Sequence, residues 1–439
     1  MAADPPNNWP SRSLFELAEY QNGQAFRPAD TRGAGLPIIK IAELNEGIGP
    51  STGRAACGID PRKVIHAGDL LFAWSGSVGV YKWNGPEAAL NQHIFKVTSR
   101  GGVDQTFLRY LLERQLPTFQ RIVDDQATTM GHVKIADLRR LRANIPPLPE
   151  QRSIAGILSS LDDKIELNRR MNQTLEEICR ALFKFWFVDF GPVHAKKEGR
   201  WKKGESLPGM PADMWDLWPS EFEESEIGEI PKEWEIRPLG EIASFTRGIS
   251  YRGEDLAESD TALVNLKCAG RGGAYREDGL KAYRGPFKEE QVVEPGDVVV
   301  SHTDVTQRAE VIGRAYVVRP SSRFVRLVAS LDMAIVRPTS GGQTREYFAY
   351  ALSDERFRDH AYGYTNGTTV LHLSSQALTD YPHLVPPAEV VRRFSEAVSP
   401  DHELIADHSL ESDTLTRTRD ALLPKVLSGE IRVSQAGAP

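Results

Sequence analysis

The sequence predicts an α+β protein in which two tandem mixed α/β domains are separated by two long helices that form an antiparallel coiled-coil-like spacer, the whole pseudo-twofold. Three observations lead there: the chain repeats itself, each repeat begins with short apolar runs broken by turns, and each ends in a long segment of helical period. Thr128-Thr129, His132, Leu138, Pro146-Pro147, Arg152, Leu161, Ile165, Leu175 and Leu182 align with Thr368-Thr369, His372, Leu378, Pro386-Pro387, Arg392, Asp401, Ile405, Leu415 and Leu422 at one offset, 240 (368 − 128). Upstream, Trp9, Leu14, Glu16, Ala18 and Gly23 match Trp234, Leu239, Glu241, Ala243 and Gly248 at 225 (234 − 9), while Val64 and Gly68-Asp69 match Val292 and Gly296-Asp297 at 228 (292 − 64). Insertions therefore fall in the globular part of the second copy and none in its helical part. A repeat this long exceeds the roughly 20 to 50 residues of a solenoid unit, so it reads as a duplicated domain followed by a duplicated helix.

The expected boundaries are a first domain at 1–148, a first helix at 149–190, a linker at 191–230, a second domain at 231–388, a second helix at 389–432 and a tail at 433–439. In the first domain Leu36 to Ile41, Asp69 to Trp74 and Ile94 to Val97 are strand-like runs. Val64 to Phe72 and its counterpart Val292 to Val300 read as turn then strand. Phe107 to Arg121 and Tyr347 to Arg358 carry apolar residues at helical spacing.

Pro146, Pro147 and Pro149 end the first domain and open the long helix, since proline is well tolerated only at a helix start. Ile154, Ile157, Leu161, Met171, Leu175, Ile178, Leu182 and Phe185 take a and d places of a heptad, with Lys164 and Asn168 as polar interruptions. The second copy supplies Phe394, Ala397, Leu404, Leu415 and Leu422, interrupted by Asp401, His408, Glu411 and Thr418. Neither stripe suffices alone, so the helices need each other or a partner. A helix over about 150–187 would be roughly 57 Å long at ~1.5 Å per residue, enough to space two domains; packing of each helix on its own domain is the plainer alternative. Asn168 and His408 hold equivalent a places, where a polar residue either fixes register from within the seam or faces solvent. The aromatic segment Leu182 to Phe190, which includes Trp186, either packs where helix meets linker or offers a docking surface.

Composition is that of ordinary globular protein, 40% hydrophobic and 26% charged over 439 residues. No apolar run approaches the ~20 residues of a membrane span, and Met1-Ala2-Ala3-Asp4-Pro5-Pro6 lacks a signal-peptide pattern, so a cytoplasmic protein is expected. Cys57, Cys179 and Cys268 include no close pair that would suggest zinc or a disulfide framework. The net charge of −7 speaks against a phosphate-binding surface, but Glu221, Glu223, Glu224, Glu226, Glu229, Glu233 and Glu235 face only Lys232, which places much of the excess in the linker. Either domain can still carry a basic face.

Certain passages resemble the DNA specificity subunits of type I restriction-modification enzymes. They are Ile145-Pro146-Pro147-Leu148-Pro149-Glu150-Gln151-Arg152 running into Ile154-Ala155-Gly156-Ile157-Leu158, then Leu161-Asp162, Ile165, the Leu182 to Phe190 segment, and Leu422-Leu423-Pro424-Lys425-Val426-Leu427-Ser428-Gly429-Glu430-Ile431. The second copy departs at Pro386-Pro387-Ala388-Glu389-Val390-Val391, which lacks the Glu-Gln step, and at His402, which stands where Asp162 does. The resemblance implies two target-recognition domains, each reading one half of a split, asymmetric double-stranded DNA site, with the helices docking two methyltransferase subunits and restriction/translocase subunits joining the full complex. It implies no catalytic centre, no metal and no cofactor in this chain, with S-adenosylmethionine, ATP and Mg on the partners.

The residues agree in what they lack: no Gly-x-x-x-x-Gly-Lys-Ser/Thr loop, no His-Glu-x-x-His, and no Gly-rich nucleoside turn. Asp4-Pro5-Pro6-Asn7 only approaches an adenine-methylating tetrapeptide, ending in Asn where an aromatic would stack on a flipped base. Candidate DNA contacts are loop residues able to meet bases or phosphates: Arg27, Lys40, Arg54, Ser75, Asn91, Gln92, His93 and Lys96, and in the second domain Arg247, Arg252, Lys267, Arg271, Arg276, His302, Thr303 and Arg308. Thr128-Thr129-Met130-Gly131-His132 and Thr368-Thr369-Val370-Leu371-His372 recur, which suggests a shared turn or a phosphate contact; discrimination should reside where the copies differ. A self-contained DNA-modifying enzyme and a protein scaffold that does not bind DNA are the competing readings.

Overall fold

The computed structural model describes residues 9–31, 34–55, 58–126, 131–270, 273–306, 309–339 and 342–433. They form two compact units, one from residues 1–164 and 415–439, the other from 165–414. Each long helix thus contributes to both.

In the first unit the strand Ser11–Ser13 pairs antiparallel with Arg142–Asn144, which ties the chain's start to the residues that lead into the first long helix. Ser13 then caps the turn Leu14–Leu17 through a reciprocal capping box with Glu16. A four-stranded antiparallel sheet follows, in the order Ala18–Asn22, Ile94–Ser99, Leu70–Ala73, Gly79–Lys82. A smaller sheet sets Ile38–Ile39 parallel to Ala88–Leu90, with Val64–Ile65 antiparallel on the other side. Strand alternation explains the uninterrupted apolar run Leu70–Ala73: Leu70 and Phe72 face the helices Gln105–Arg114 and Leu116–Asp124, while Leu71 and Ala73 join Ile39, Ile65 and Leu90. The single helix expected over Phe107 to Arg121 is in fact these two, broken where Gln115 ends one helix and Pro117 opens the next.

The second unit repeats this plan. Its main sheet runs Ala243–Arg247, Met333–Pro338, Val298–Ser301, Ala315–Val317, and its smaller one sets Thr261–Val264 parallel to Arg326–Ala329, with Val292–Val293 antiparallel and Lys281–Ala282 added at the outer edge. Val298 and Val300 face the helix side while Val299 faces the smaller sheet, as in the first copy. The turn before this strand needs a left-handed residue in both copies, and Gly68 and Gly296 supply it at φ +96° and +91°. Much of the extra length of the second copy lies between Ser301 and Ala315. There the buried Asp304 carboxylate accepts from the amides of Thr306, Val311 and Ile312, which hold its pKa low although burial works the other way.

The stretch expected to be a linker is folded. Gly191–Lys197 is helical, Phe222–Ser225 and Gly228–Pro231 form a hairpin, and Trp201, Met210, Met214 and Trp218 are buried in one core with Phe183, Trp186 and Phe187. Its Lys, Glu, Gly, Pro and Trp content suggested a connector, and the widely spaced Trp and Met side chains are what pack it into this core. The aromatic segment is therefore largely interior to the second unit.

The long helices run Leu148–Phe187 and Ala388–Ser428. In each unit they are antiparallel neighbours: Ile154 and Leu158 share a core with Val426 and Leu427, and Phe183 packs on Phe394. Their facing register differs from the expected heptad by one residue at every second place. Leu158, Ile165, Asn172, Cys179 and Trp186 face inward where Ile157, Lys164, Met171, Ile178 and Phe185 were expected, and Ile157 and Ile178 are 40% and 53% exposed. The second helix shows the same step, with Val398 and Ile405 inward where Ala397 and Leu404 were expected. An i, i+4, i+7 spacing and an i, i+3, i+7 spacing are both heptads, and scattered apolar residues on the outer face favoured the wrong one.

Asn168 is fully buried and donates to the His408 carbonyl (3.4 Å), Glu411 Oε2 (2.7 Å) and Ser412 Oγ (3.3 Å). His408 Nδ1 meets Asn172 Oδ1 at 2.8 Å, and Asn172 Nδ2 donates to the Ile405 carbonyl and Ser409 Oγ. The polar places lie inside the seam and not on its surface, as a register-fixing layer requires.

Candidate nucleic-acid interface

At one end of the main sheet in the first unit, four chain segments meet through main-chain hydrogen bonds. Gly23 N donates to Ile94 O (3.1 Å), Gln24 N to Leu90 O (2.7 Å), Trp74 N to His93 O (3.2 Å) and Val133 N to Trp74 O (2.8 Å). The second unit repeats all four at equivalent positions: Gly248 to Met333 (3.1 Å), Ile249 to Ala329 (2.8 Å), His302 to Asp332 (2.7 Å) and Leu373 to His302 (2.9 Å). The paired strands are so close that a Cβ on Gly23 would lie 2.2 Å from Asn91 O, and one on Gly248 2.1 Å from Ser330 O. Gly23→Ala or Gly248→Ala must therefore open the frame. Either is expected to lower the stability of its own unit by about 2–3 kcal/mol, read as a drop in denaturant midpoint; an unchanged midpoint would show that the frame yields freely.

The side chains on this shared frame differ. Asn22, Trp74, Ser75, Gln92 and His93 in the first domain correspond to Arg247, His302, Thr303, Leu331 and Asp332 in the second, while His132 and His372 coincide. In the first domain the Trp74 ring centroid lies 5.6 Å from that of His93 and 5.9 Å from that of His132, and Trp74 Nε1 donates to Asn22 Oδ1 at 3.1 Å. Gln92 Nε2 meets His93 Nε2 at 3.3 Å. In the second domain Arg247, Leu331 and His372 are exposed around the buried His302, and Thr303 pairs with His372 across a short strand ladder.

Of the contacts expected from residue type, Ser75, Asn91, Gln92 and His93 are brought together here, and so are Arg247, His302 and Thr303. Asn91, Ser75 and His302 are too buried for direct contact in this conformation. Lys96 pairs with Asp69 at 2.7 Å, Arg54 donates to Gly35 O, Arg252 pairs with Glu254, and Arg276 with Asp278. Arg27, Lys40 and Lys267 are exposed on other segments. Arg271, Arg308 and Thr128-Thr129-Met130 lie outside the described residues, as do Cys57 and Asp4-Pro5-Pro6-Asn7. Sequence reasoning missed Asn22, Trp74, Leu331 and Asp332. The signal was present: the Gly23/Gly248 and Gly68-Asp69/Gly296-Asp297 matches already align Asn22 with Arg247 and Trp74 with His302.

Burial, then the nearby Arg247 and His372, lowers the pKa of His302 from 6.5 to about 4, and burial lowers that of His383 to about 3. Both histidines fold neutral, so as pH falls the unfolded chain takes up their protons first. Their contribution is present above pH 6.5 and is lost progressively from there toward pH 3. The denaturant midpoint of the second unit should fall across that window, and His302→Gln should flatten the fall; the same slope in both proteins would exclude His302 as a source.

Among the described residues there is no cluster of His, Cys, Asp or Glu able to hold a metal, and no helix long and apolar enough to cross a membrane.

Residues 6–177 match the family described as the type I restriction modification DNA specificity domain. The MjaIX specificity subunit, from a type I restriction enzyme of Methanocaldococcus jannaschii, is 24% identical across 98% of this chain and 95% of its own. The HindI specificity subunit of Haemophilus influenzae is 25% identical across 74% of this chain and 76% of its own. The crystal structure of a type I restriction-modification system S subunit from M. genitalium aligns with a TM-score of 0.50 at 17% identity, covering 97% of this chain and 98% of that one. At that identity the likeness speaks for the fold.

Proposed function

We infer that this chain is a specificity subunit of a type I restriction-modification system, which the match of residues 6–177 and the similar specificity subunits support, and that it selects the DNA site for a multisubunit methyltransferase and endonuclease and performs no chemistry itself. Each domain reads one half of a bipartite, asymmetric duplex sequence. The observation that carries this reading is the frame found twice with different side chains on it, because two similar heads with different surfaces recognise two different half-sites. Half-sites on one face of DNA lie about a helical turn, roughly 34 Å, apart. A 40-residue helix is about 60 Å long, so length does not limit such a spacing.

The long helices dock two methyltransferase subunits. Leu167, Met171 and Ile178, apolar and exposed on the outer side of the first helix, support this. S-adenosylmethionine, ATP and Mg belong to the partners, with restriction/translocase subunits completing the assembly.

The test is to co-express the chain with its methyltransferase subunit and map N6-methyladenine across the host genome by single-molecule sequencing. A split motif that disappears when this chain is deleted is the expected result; unchanged methylation with the complex assembled would overturn the reading. Exchanging residues 1–145 for those of a relative should alter one half-site only. If both halves change, the domains do not read independently.

A further inference from the structure

We propose that Arg247 and Asn22, which occupy the same place on the shared frame, are the principal base-reading side chains of the two domains: Arg247 takes a guanine in one half-site and Asn22 an adenine in the other. This rests on the DNA-reading function proposed above and names the bases and the groups that meet them.

Each residue immediately precedes the glycine whose close approach fixes the frame, so its backbone position is set by Gly248 or Gly23. Both side chains are exposed. Arg247 has no ion pair and no side-chain hydrogen bond among the described residues, whereas Arg252, Arg276, Arg314 and Arg337 are all paired to carboxylates. A guanidinium carries five donors in a planar fork that matches O6 and N7 of guanine. Leu331, whose amide donates to the carbonyl of Ile249 two residues further on, is 42% exposed, an apolar surface on the same frame suited to a thymine methyl. Asn22 is oriented differently. The indole N–H of Trp74 occupies one lone pair of Asn22 Oδ1, which fixes which end of the amide is oxygen. The other lone pair and the NH2 group remain, one acceptor beside one donor, and adenine offers the complementary N6 donor and N7 acceptor. The difference between a cationic fork and an oriented amide at one place on a common frame makes the two half-sites different in sequence.

The experiment uses the complex with its methyltransferase subunits. The methylated motif is mapped for the wild-type chain, Arg247→Ala, Arg247→Lys and Asn22→Ala, and binding to duplexes of the wild-type motif is titrated against salt. Arg247→Ala should replace one guanine by any base in one half-site, leave the other half intact, and weaken cognate binding about 5- to 150-fold. Arg247→Lys, which keeps the charge but not the fork, should keep the salt slope and still lose much of the guanine preference. Asn22→Ala should relax one adenine in the opposite half. Retention of the other bases in the mutated half-site reports that the domain carrying the substitution is folded. Motifs identical to wild type in the alanine variants would overturn the proposal while leaving the specificity role standing. Uniformly weaker binding with the motif unchanged would make Arg247 a phosphate contact and overturn it equally. A wild-type motif that does not depend on this chain would overturn the proposal together with the function it rests on.

Discussion

Asp162→Ala is expected to destabilise the first unit by about 3 kcal/mol or more. Its carboxylate accepts from Arg109 Nη2 (2.5 Å), Tyr110 Oη (2.6 Å) and Arg419 Nη1 (2.8 Å), so one side chain holds two cations and a phenol. Burial raises the Asp162 pKa, but the bonds from Arg419, Tyr110 and Arg109 outweigh it and the net shift is downward. Removing the carboxylate leaves the mostly buried Arg109 with Glu113 (3.7 Å) and Arg419 with the more exposed Asp420 (2.7 Å), and takes away the one acid that both guanidiniums share. Burial and the neighbouring Asp162 charge push Glu113 up to about 7, against the pull of Arg109. Thermal unfolding of the variant measures the loss, and a change below about 1 kcal/mol would mean that the cluster is already screened by water. The second unit offers the internal control. His402 stands at the position equivalent to Asp162, Ala349 at that of Arg109 and Cys179 at that of Arg419, with His402 Nε2 bound to Tyr350 Oη at 2.5 Å. That copy has no arginine at the places of Arg109 and Arg419, and the guanidinium that acts on His402, Arg319, is already paired with Glu176. His402→Asp should therefore destabilise it, because a carboxylate there would add to Glu176, Glu346 and Asp401 without a free cation to meet it.

The second large effect is expected at Trp186. Its ring is 1% exposed and packs edge-to-face on Trp218 and Phe394, with centroids at 5.6 and 5.8 Å, and against Phe187 at 5.9 Å. Trp186→Ala removes the side chain at which the first long helix, the folded 191–230 segment and the second long helix share one core. Such truncations cost about 3–5 kcal/mol. Near-ultraviolet circular dichroism and denaturant unfolding should show a lower midpoint and weaker aromatic signal from the second unit, while Trp186→Phe should retain more than half of the stability. A fully native midpoint for the alanine variant would mean that the cluster closes around the gap.

The duplication was legible because it is a property of sequence alone, and the duplicated sheet order followed from it. Strand boundaries were legible where Gly68 and Gly296 punctuate apolar runs. The seam register was less so. Ile157, Met171 and Ile178 are as apolar as Leu158, Ile165 and Cys179, and only a neighbouring helix decides which set turns inward. The fold of 191–230 was hidden for a related reason: Trp201, Met210, Met214 and Trp218 lie too far apart in sequence to show a period, and their burial depends on Trp186 and Phe187. At the candidate interface, residue type singled out Gln92, His93 and Arg247, but also chose Lys96, Arg54, Arg252 and Arg276, whose charges or donors are satisfied within the chain. A list of cations cannot distinguish these; partners in space can.

The frame at the end of each main sheet is tied by the same peptide groups and one glycine in both copies, although the side chains that decorate it differ and Trp74 of the first copy packs on Phe95, His93 and His132. Mutations at the decorating positions therefore meet little selection for folding. A lineage can walk through many combinations at the exposed or half-exposed Asn22, Gln92 and His93, or at Arg247, Leu331 and Asp332, without breaking the main-chain bonds of the frame. Having the frame twice adds a second freedom, since one copy can change the side chains it carries while its sibling keeps its own. A protein built this way can change its surface faster than its fold.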